Sequence, residues 1–98
     1  MCYNYFLNIF NLSSMKMAHE KHRKLIFDKQ GLEAFAIQLK KIRNNKGFTQ
    51  NQLAFESGIS ISQIARIETA RINPTLSTIF VLSRTMDVSL PELFNFQI

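Results

Sequence analysis

The sequence predicts an all-α protein, a compact domain of five short helices preceded by an extension. Three observations predict it. Residues 49–68, TQNQLAFESGISISQIARIE, hold two successive helix-start signals separated by one glycine. Between Leu32 and Met86 the apolar residues recur at the i, i+3, i+4, i+7 spacing of helices, with no alternating strand pattern. The stretches between these patterns are short, as helices packed around one core require.

The first helix carries Leu32, Phe35, Ala36, Leu39 and Ile42 on one face. Asn44, Asn45, Lys46 and Gly47 end it, with Gly47 as the left-handed cap. Thr49 caps the second helix, over Gln50–Ser57, and Gln52 three residues on completes a reciprocal capping box. Phe48, just before the cap, faces Leu53 as a hydrophobic staple. Gly58 ends this helix where the backbone needs a left-handed residue. Ser60 with Gln63, and Ile59 with Ile64, repeat the box and staple for a third helix over Ile61–Glu68. Residues 69–74 form a loop, because Pro74 stops any helix crossing it. Thr75 caps a fourth helix whose inward face is Leu76, Ile79, Leu82, Ser83 and Met86. Val88, Ser89, Glu92 and Leu93 repeat the pattern once more, for a short fifth helix near residues 90–94. The division is a 1–31 extension, a 32–94 domain and a 95–98 tail.

Composition narrows the function classes. Ninety-eight residues make one small domain. Twelve Lys and Arg against seven Asp and Glu give a net charge of +5, a surplus that favours a polyanionic partner. Cys2 is the single cysteine, so an intrachain disulfide and a cysteine-based zinc site are excluded, and a reducing cytoplasm fits. No apolar run approaches the roughly 20 residues needed to cross a bilayer, so no membrane partner is expected. There is no glycine-rich phosphate loop, and no histidine or carboxylate lies within the patterned core. Glu33, Glu56, Asp87 and Glu92 read as solvated or capping residues, so no enzyme and no cofactor is expected. His19 and His22 lie three apart without further ligands, too little for a metal site.

Residues 1–15, MCYNYFLNIFNLSSM, carry no charge and are rich in aromatics. They are not a signal peptide: no basic residue leads them, and Asn4, Asn8 and Asn11 interrupt the apolar residues. Two readings stand, a poorly ordered or loosely docked tail and a biological start at Met15 or Met17. Residues 16–29 hold five basic side chains against Glu20 and Asp28. They form either a basic arm for a phosphate backbone or a solvated, partly helical face.

Over residues 35–94 the chain resembles the lambda-repressor-like (Cro and XRE) helix-turn-helix transcriptional regulators. The resemblance rests on Gln50, Leu53-Ala54, Gly58-Ile59-Ser60, Ile64, Glu68, Asn73-Pro74-Thr75-Leu76 and Val88-Ser89-Leu90 through Leu93-Phe94, matched in order. It implies that the third helix enters the major groove of double-stranded DNA. Ala70 and Asp87 stand where the family often has glycine; alanine tolerates the left-handed region poorly, so a different loop path is expected at Ala70. The resemblance also implies an ion pair between Arg43 and Glu68 that fixes the third helix and leaves outer Arg43 N–H groups for phosphate. Ala54 has a packing role at the helix crossing, and Gly58 shapes the turn.

The outward face of the third helix carries the candidate base contacts. Arg66 matches guanine O6 and N7, Ser62 matches either base type, and Gln63 matches an adenine edge if it is not spent on the capping box. Ile61 suits a thymine methyl, or is an ordinary exposed apolar residue. Gln50, Lys46, Arg43, Arg71, Asn73 and Thr75 are the candidate phosphate contacts, which set affinity and register rather than sequence.

The expected assembly is a homodimer on an operator. Because the chain ends soon after the domain, the interface is expected on the domain or its tail. Phe80, Val81 and the terminal Phe94-Asn95-Phe96-Gln97-Ile98 offer apolar groups for it; alternatively Phe96 and Ile98 fold back on their own domain or pack against the aromatic N-terminal tail. The alternatives to an ordinary regulator are an antitoxin that neutralises a toxin partner and a controller of a restriction–modification operon.

Overall fold

The computed structural model describes residues 25–98, which form five helices and no strand. Helix α1 spans Lys29–Asn45, α2 Gln50–Ser57, α3 Ile61–Glu68, α4 Leu76–Met86 and α5 Leu90–Leu93. Helix α1 starts three residues before its apolar stripe because Asp28 caps it, accepting from the Gly31 N–H at 3.2 Å. The extension's first 24 residues, with His19 and His22 and most of the basic stretch, lie outside the described residues. Of the five basic side chains in that stretch Lys29 is described; it sits on α1, 3.9 Å from Glu33.

Hydroxyl caps start α2, α3, α4 and α5, at Thr49, Ser60, Thr75 and Ser89. The reciprocal capping box is complete at Thr49, whose N–H donates to Gln52 Oε1 at 2.9 Å while Thr49 Oγ1 accepts from the Gln52 N–H at 3.0 Å. At Ser60 and Ser89 the hydroxyl half alone forms, with the N–H groups of Gln63 and Glu92. The Gln63 amide is therefore not consumed by the cap.

Four helices end in a left-handed residue: Gly47 at φ +81°, Gly58 at +79°, Ala70 at +56° and Asp87 at +55°. After α1, α3 and α4 the same pair of backbone bonds closes the end. Following α3, for example, the Ala70 N–H donates to the Ile67 carbonyl at 3.1 Å and the Arg71 N–H to the Arg66 carbonyl at 2.8 Å. Ala70 thus takes the glycine-like conformation and no different path, because these two bonds hold it there against its Cβ strain.

The core is built from Leu39, Leu53, Ile64, Ile67, Leu82, Met86 and Leu93, all essentially inaccessible, with Phe35, Ile42, Ile79 and Val88 around them. Phe48, Ala54, Ile59, Ile72 and Phe96 are half-buried against this cluster. Leu76 departs from the expected inward face of α4. It is 67% exposed, because the first turn of that helix projects past the edge of the core and burial begins at Ile79. The C-terminal tail folds back on its own domain: Phe96 lies 6.3 Å from Phe35 and 6.2 Å from Phe94 between ring centroids. Phe96 is therefore part of the monomer's packing. Among the described residues no helix is long and apolar enough to cross a membrane.

Candidate nucleic-acid interface

The end of α3 is held by a buried polar network. Arg43 Nε donates to Glu68 Oε2 at 2.6 Å, and Nη2 donates to Oε1 at 2.9 Å. Two parallel charge-assisted bonds fix both planes. The other terminal nitrogen, Nη1, donates to the Phe48 carbonyl at 2.8 Å and to Asn44 Oδ1 at 3.2 Å. With its guanidinium so occupied and only 6% of the residue exposed, Arg43 is not placed for a phosphate. That expectation is corrected: Arg43 is structural, because every one of its nitrogens already donates inside the domain.

Gln50 joins the same network, its Nε2 donating to Glu68 Oε1 at 3.0 Å. Glu68 therefore binds the end of α1 and the first residue of α2 to the last residue of α3. The side chain of Gln50 is half-buried and partly committed. What α2 presents outwards is its N-terminus: the Gln50 and Asn51 N–H groups precede the first intrahelical bond, from the Leu53 N–H to the Thr49 carbonyl. Such a helix start attracts an anion.

Helix α3 is sharply two-faced. Ile64, Ile67 and Glu68 are buried, Gln63 and Ala65 are half-buried, and Ile61, Ser62 and Arg66 are exposed. The predicted base-reading side chains thus share the surface opposite the core. Ile61, at 42% exposed, is an apolar residue left in water at the start of this helix. Thr69 closes the far end, its hydroxyl donating to the Ala65 carbonyl at 2.8 Å.

The candidate phosphate contacts in the loops are dispersed. Arg71 follows Ala70 directly at the end of α3, and Asn73 and Thr75 lie between α3 and α4; all three are exposed. Thr75 Oγ1 accepts from the Thr78 N–H at 3.2 Å, so its hydroxyl is partly used as the cap. Lys46 is drawn to the α4–α5 corner, where its Nζ donates to the Asp87 carbonyl at 3.2 Å. Ala54 is half-buried against the core and Gly58 is left-handed, and the Gly58 N–H donates to the Ala54 carbonyl at 3.0 Å. Sequence reasoning missed the second set of Arg43 partners, Asn44 and the Phe48 carbonyl. Backbone carbonyls carry no residue signature, so nothing in the sequence pointed to the latter.

The helix-turn-helix family model matches residues 39–93, more than half of the chain. The chain belongs to the helix-turn-helix family. The lambda-repressor-like resemblance therefore holds for this helix-turn-helix protein, with its all-α fold. It is 43% identical over 54 residues to the HTH-type transcriptional regulator SlrR of Bacillus subtilis, a match covering 54% of this chain and 36% of SlrR. The control protein C.SmaI of Serratia marcescens is 34% identical over 65 residues, covering 66% of this chain and 77% of that protein. Among solved structures, the restriction-modification controller protein C.Esp1396I, a tetramer in complex with its natural 35 base-pair operator, superposes with a TM-score of 0.64. It is 30% identical and covers 68% of this chain and 88% of that chain. This chain thus spans about a third of SlrR but most of each controller protein.

Proposed function

We propose that this helix-turn-helix protein is a sequence-specific DNA-binding transcriptional regulator that grips an operator as a homodimer. The observation that carries the reading is the division of α3. Its inner face is locked into the core and to Glu68, while Ile61, Ser62 and Arg66, with Gln63 beside them, stand on the outer face. Arg66 then reads a guanine, Gln63 an adenine and Ile61 a thymine methyl, with Ser62 between them. The start of α2 at Gln50 receives a phosphate oxygen, and Lys46, Arg71, Asn73 and Thr75 are the further backbone contacts. The unit that does this is residues 32–94 with the extra first turn of α1, and it works in the cytoplasm without a cofactor or catalysis.

The dimer is supported by apolar groups left on the outer side of α4 and α5. Phe80 and Leu90 remain 40% and 37% exposed and line a shallow groove with Ser83 and Arg84. A two-fold axis there pairs the same patch with itself and sets two recognition helices about 34 Å apart, one turn of DNA. Phe96 is taken up by its own domain and drops out of that interface, whereas Phe94 and Ile98 remain exposed.

A restriction–modification controller is the second reading, favoured by the similarity to C.SmaI and C.Esp1396I along most of their lengths. An antitoxin remains the third, and neither of those proteins speaks for it.

Selection of bound sequences from random duplex DNA, with sedimentation equilibrium on the same protein, tests the proposal. The expected result is a dimer selecting an inverted repeat with half-sites one helical turn apart. Recovery of no sequence above background would overturn it, and a single unrepeated half-site would overturn the dimer.

A further inference from the structure

An apolar groove of ≈ 380 Å³ opens on the side of the domain formed by the start of α1, the start of α4 and the C-terminal tail. Leu32 and Phe35 form one wall, Pro74 and Leu76 the second, and Phe94 and Ile98 the third. Its volume lies at the lower end of the roughly 300–1,000 Å³ of pockets that hold ligands. The rim is as apolar as the floor: Leu76 is 67% exposed, Phe94 44% and Ile98 68%. Leaving such a patch in water is unfavourable, at roughly 25 cal/mol per Å² of apolar surface. Gly31 lies at the near end, where a Cβ would crowd the capping Asp28 Oδ2 at 2.9 Å and meet Ile98 Cδ1 at an ordinary contact distance of 3.6 Å.

The chain itself leads away from this rim. Helix α1 begins at Lys29, so Leu32 is in its first turn, and the preceding Leu25, Ile26 and Phe27 are exposed. Further back lie residues 1–15, with Tyr3, Tyr5, Phe6, Leu7, Ile9, Phe10 and Leu12 and no charged side chain. Nine residues, 16–24, join that segment to Leu25, enough to span about 30 Å when extended. That reach exceeds the length of α1, about 26 Å at ~1.5 Å per residue. The basic residues fall in the connecting stretch, not in the apolar segment, so charge stays in water when the segment turns back.

We propose that the uncharged aromatic segment of residues 1–15 docks into this groove on its own domain, covering Leu76, Phe94 and Ile98. The reading is independent of operator binding. In the docked form aromatic side chains of the segment extend the Phe35, Phe94 and Phe96 cluster, whose Phe35 and Phe94 rings stack at 5.3 Å.

The composition supplies the probe. The chain has no tryptophan and two tyrosines, Tyr3 and Tyr5, both in the segment, so its intrinsic fluorescence reports on that segment alone. Acrylamide quenching is measured on the full chain, on Leu76→Glu, on Ser77→Glu and on a synthetic peptide of residues 1–15. Leu76 and Ser77 are both exposed, so neither charge disturbs the core, and circular dichroism verifies the fold. The expected result is a quenching slope severalfold lower in the full chain than in the peptide, unchanged by dilution. Leu76→Glu should return it to the peptide's value, and Ser77→Glu should leave it low. Equal slopes for full chain and peptide would overturn the proposal. Protection that vanishes on dilution would overturn it in favour of a second copy as the occupant. Protection untouched by Leu76→Glu would place the segment elsewhere and overturn it too.

Discussion

Replacing Arg43 by methionine tests whether the buried network determines the stability of this domain. The exchange keeps an unbranched apolar stem and removes the guanidinium. Glu68, whose side chain is 2% exposed, is then left with the single donor Gln50 Nε2, and the Phe48 carbonyl loses its partner. Removing one member of a buried ion pair costs about 3–5 kcal/mol, because the other charge stays desolvated. Small domains hold about 5–15 kcal/mol in all, so Arg43→Met should stand near the limit of folding. Adding Glu68→Leu removes the stranded charge, and apolar replacement of a whole buried pair is neutral to stabilising by about 1–4 kcal/mol. The double variant should therefore be more stable than Arg43→Met alone. Urea unfolding followed by circular dichroism at matched m-values measures all three chains. A loss under about 1 kcal/mol for Arg43→Met, the range of an exposed pair, would refute the reasoning. So would a double variant no more stable than the single one.

Four further outcomes are expected. Arg66→Ala should remove about 1–3 kcal/mol of discrimination at one base pair per half-site, whereas Gln50→Ala should weaken cognate and scrambled duplexes alike; titrations on both duplexes decide. Ala70→Gly should raise the urea midpoint modestly, since about 1–2 kcal/mol of left-handed strain is relieved against roughly 0.5–1 kcal/mol of glycine entropy. Gly58→Val should lower it by about 1–2 kcal/mol or more through backbone strain at φ +79°, since a Cβ there meets nothing within 4 Å; an unchanged midpoint would remove that assignment. Phe80→Glu should shift sedimentation equilibrium from dimer to monomer without lowering the melting temperature of the monomer, as the side chain is already 40% exposed.

Most of the fold was legible because its punctuation is local. Thr49, Ser60, Thr75 and Ser89 each cap a helix through a hydroxyl three residues from its partner N–H, a spacing that reads directly from sequence. Gly47 and Gly58 marked two of the left-handed ends by residue type alone. The same logic failed at Ala70 and misplaced Leu76, where the outcome depends on tertiary context. Whether two backbone bonds outweigh a Cβ clash, or whether the core extends one turn further, is not encoded in periodicity. The site was legible in the same uneven way. Amphipathicity placed Ile61, Ser62 and Arg66 on the outer face of α3, but the fate of Arg43 could not be read. Its extra acceptors are the Phe48 carbonyl and Asn44, and a backbone carbonyl has no signature in the sequence.

The position of Glu68 links affinity to specificity in the proposed mode of binding. Phosphate contacts fix where a protein sits on the duplex, and base contacts then read what lies beneath. Here the start of α2, the proposed phosphate site, and α3, the proposed base-reading helix, meet at one carboxylate, since Glu68 Oε1 accepts from both Arg43 Nη2 and Gln50 Nε2. Any tilt of α3 must therefore break a charge-assisted bond or carry α2 with it. Register and readout move as one body. It follows that the stable double variant at positions 43 and 68, although both residues are buried, should lose discrimination between cognate and scrambled duplexes more than it loses overall affinity. A folded double variant with undiminished discrimination would mean that core packing by Ile64 and Ile67 alone sets the angle of α3.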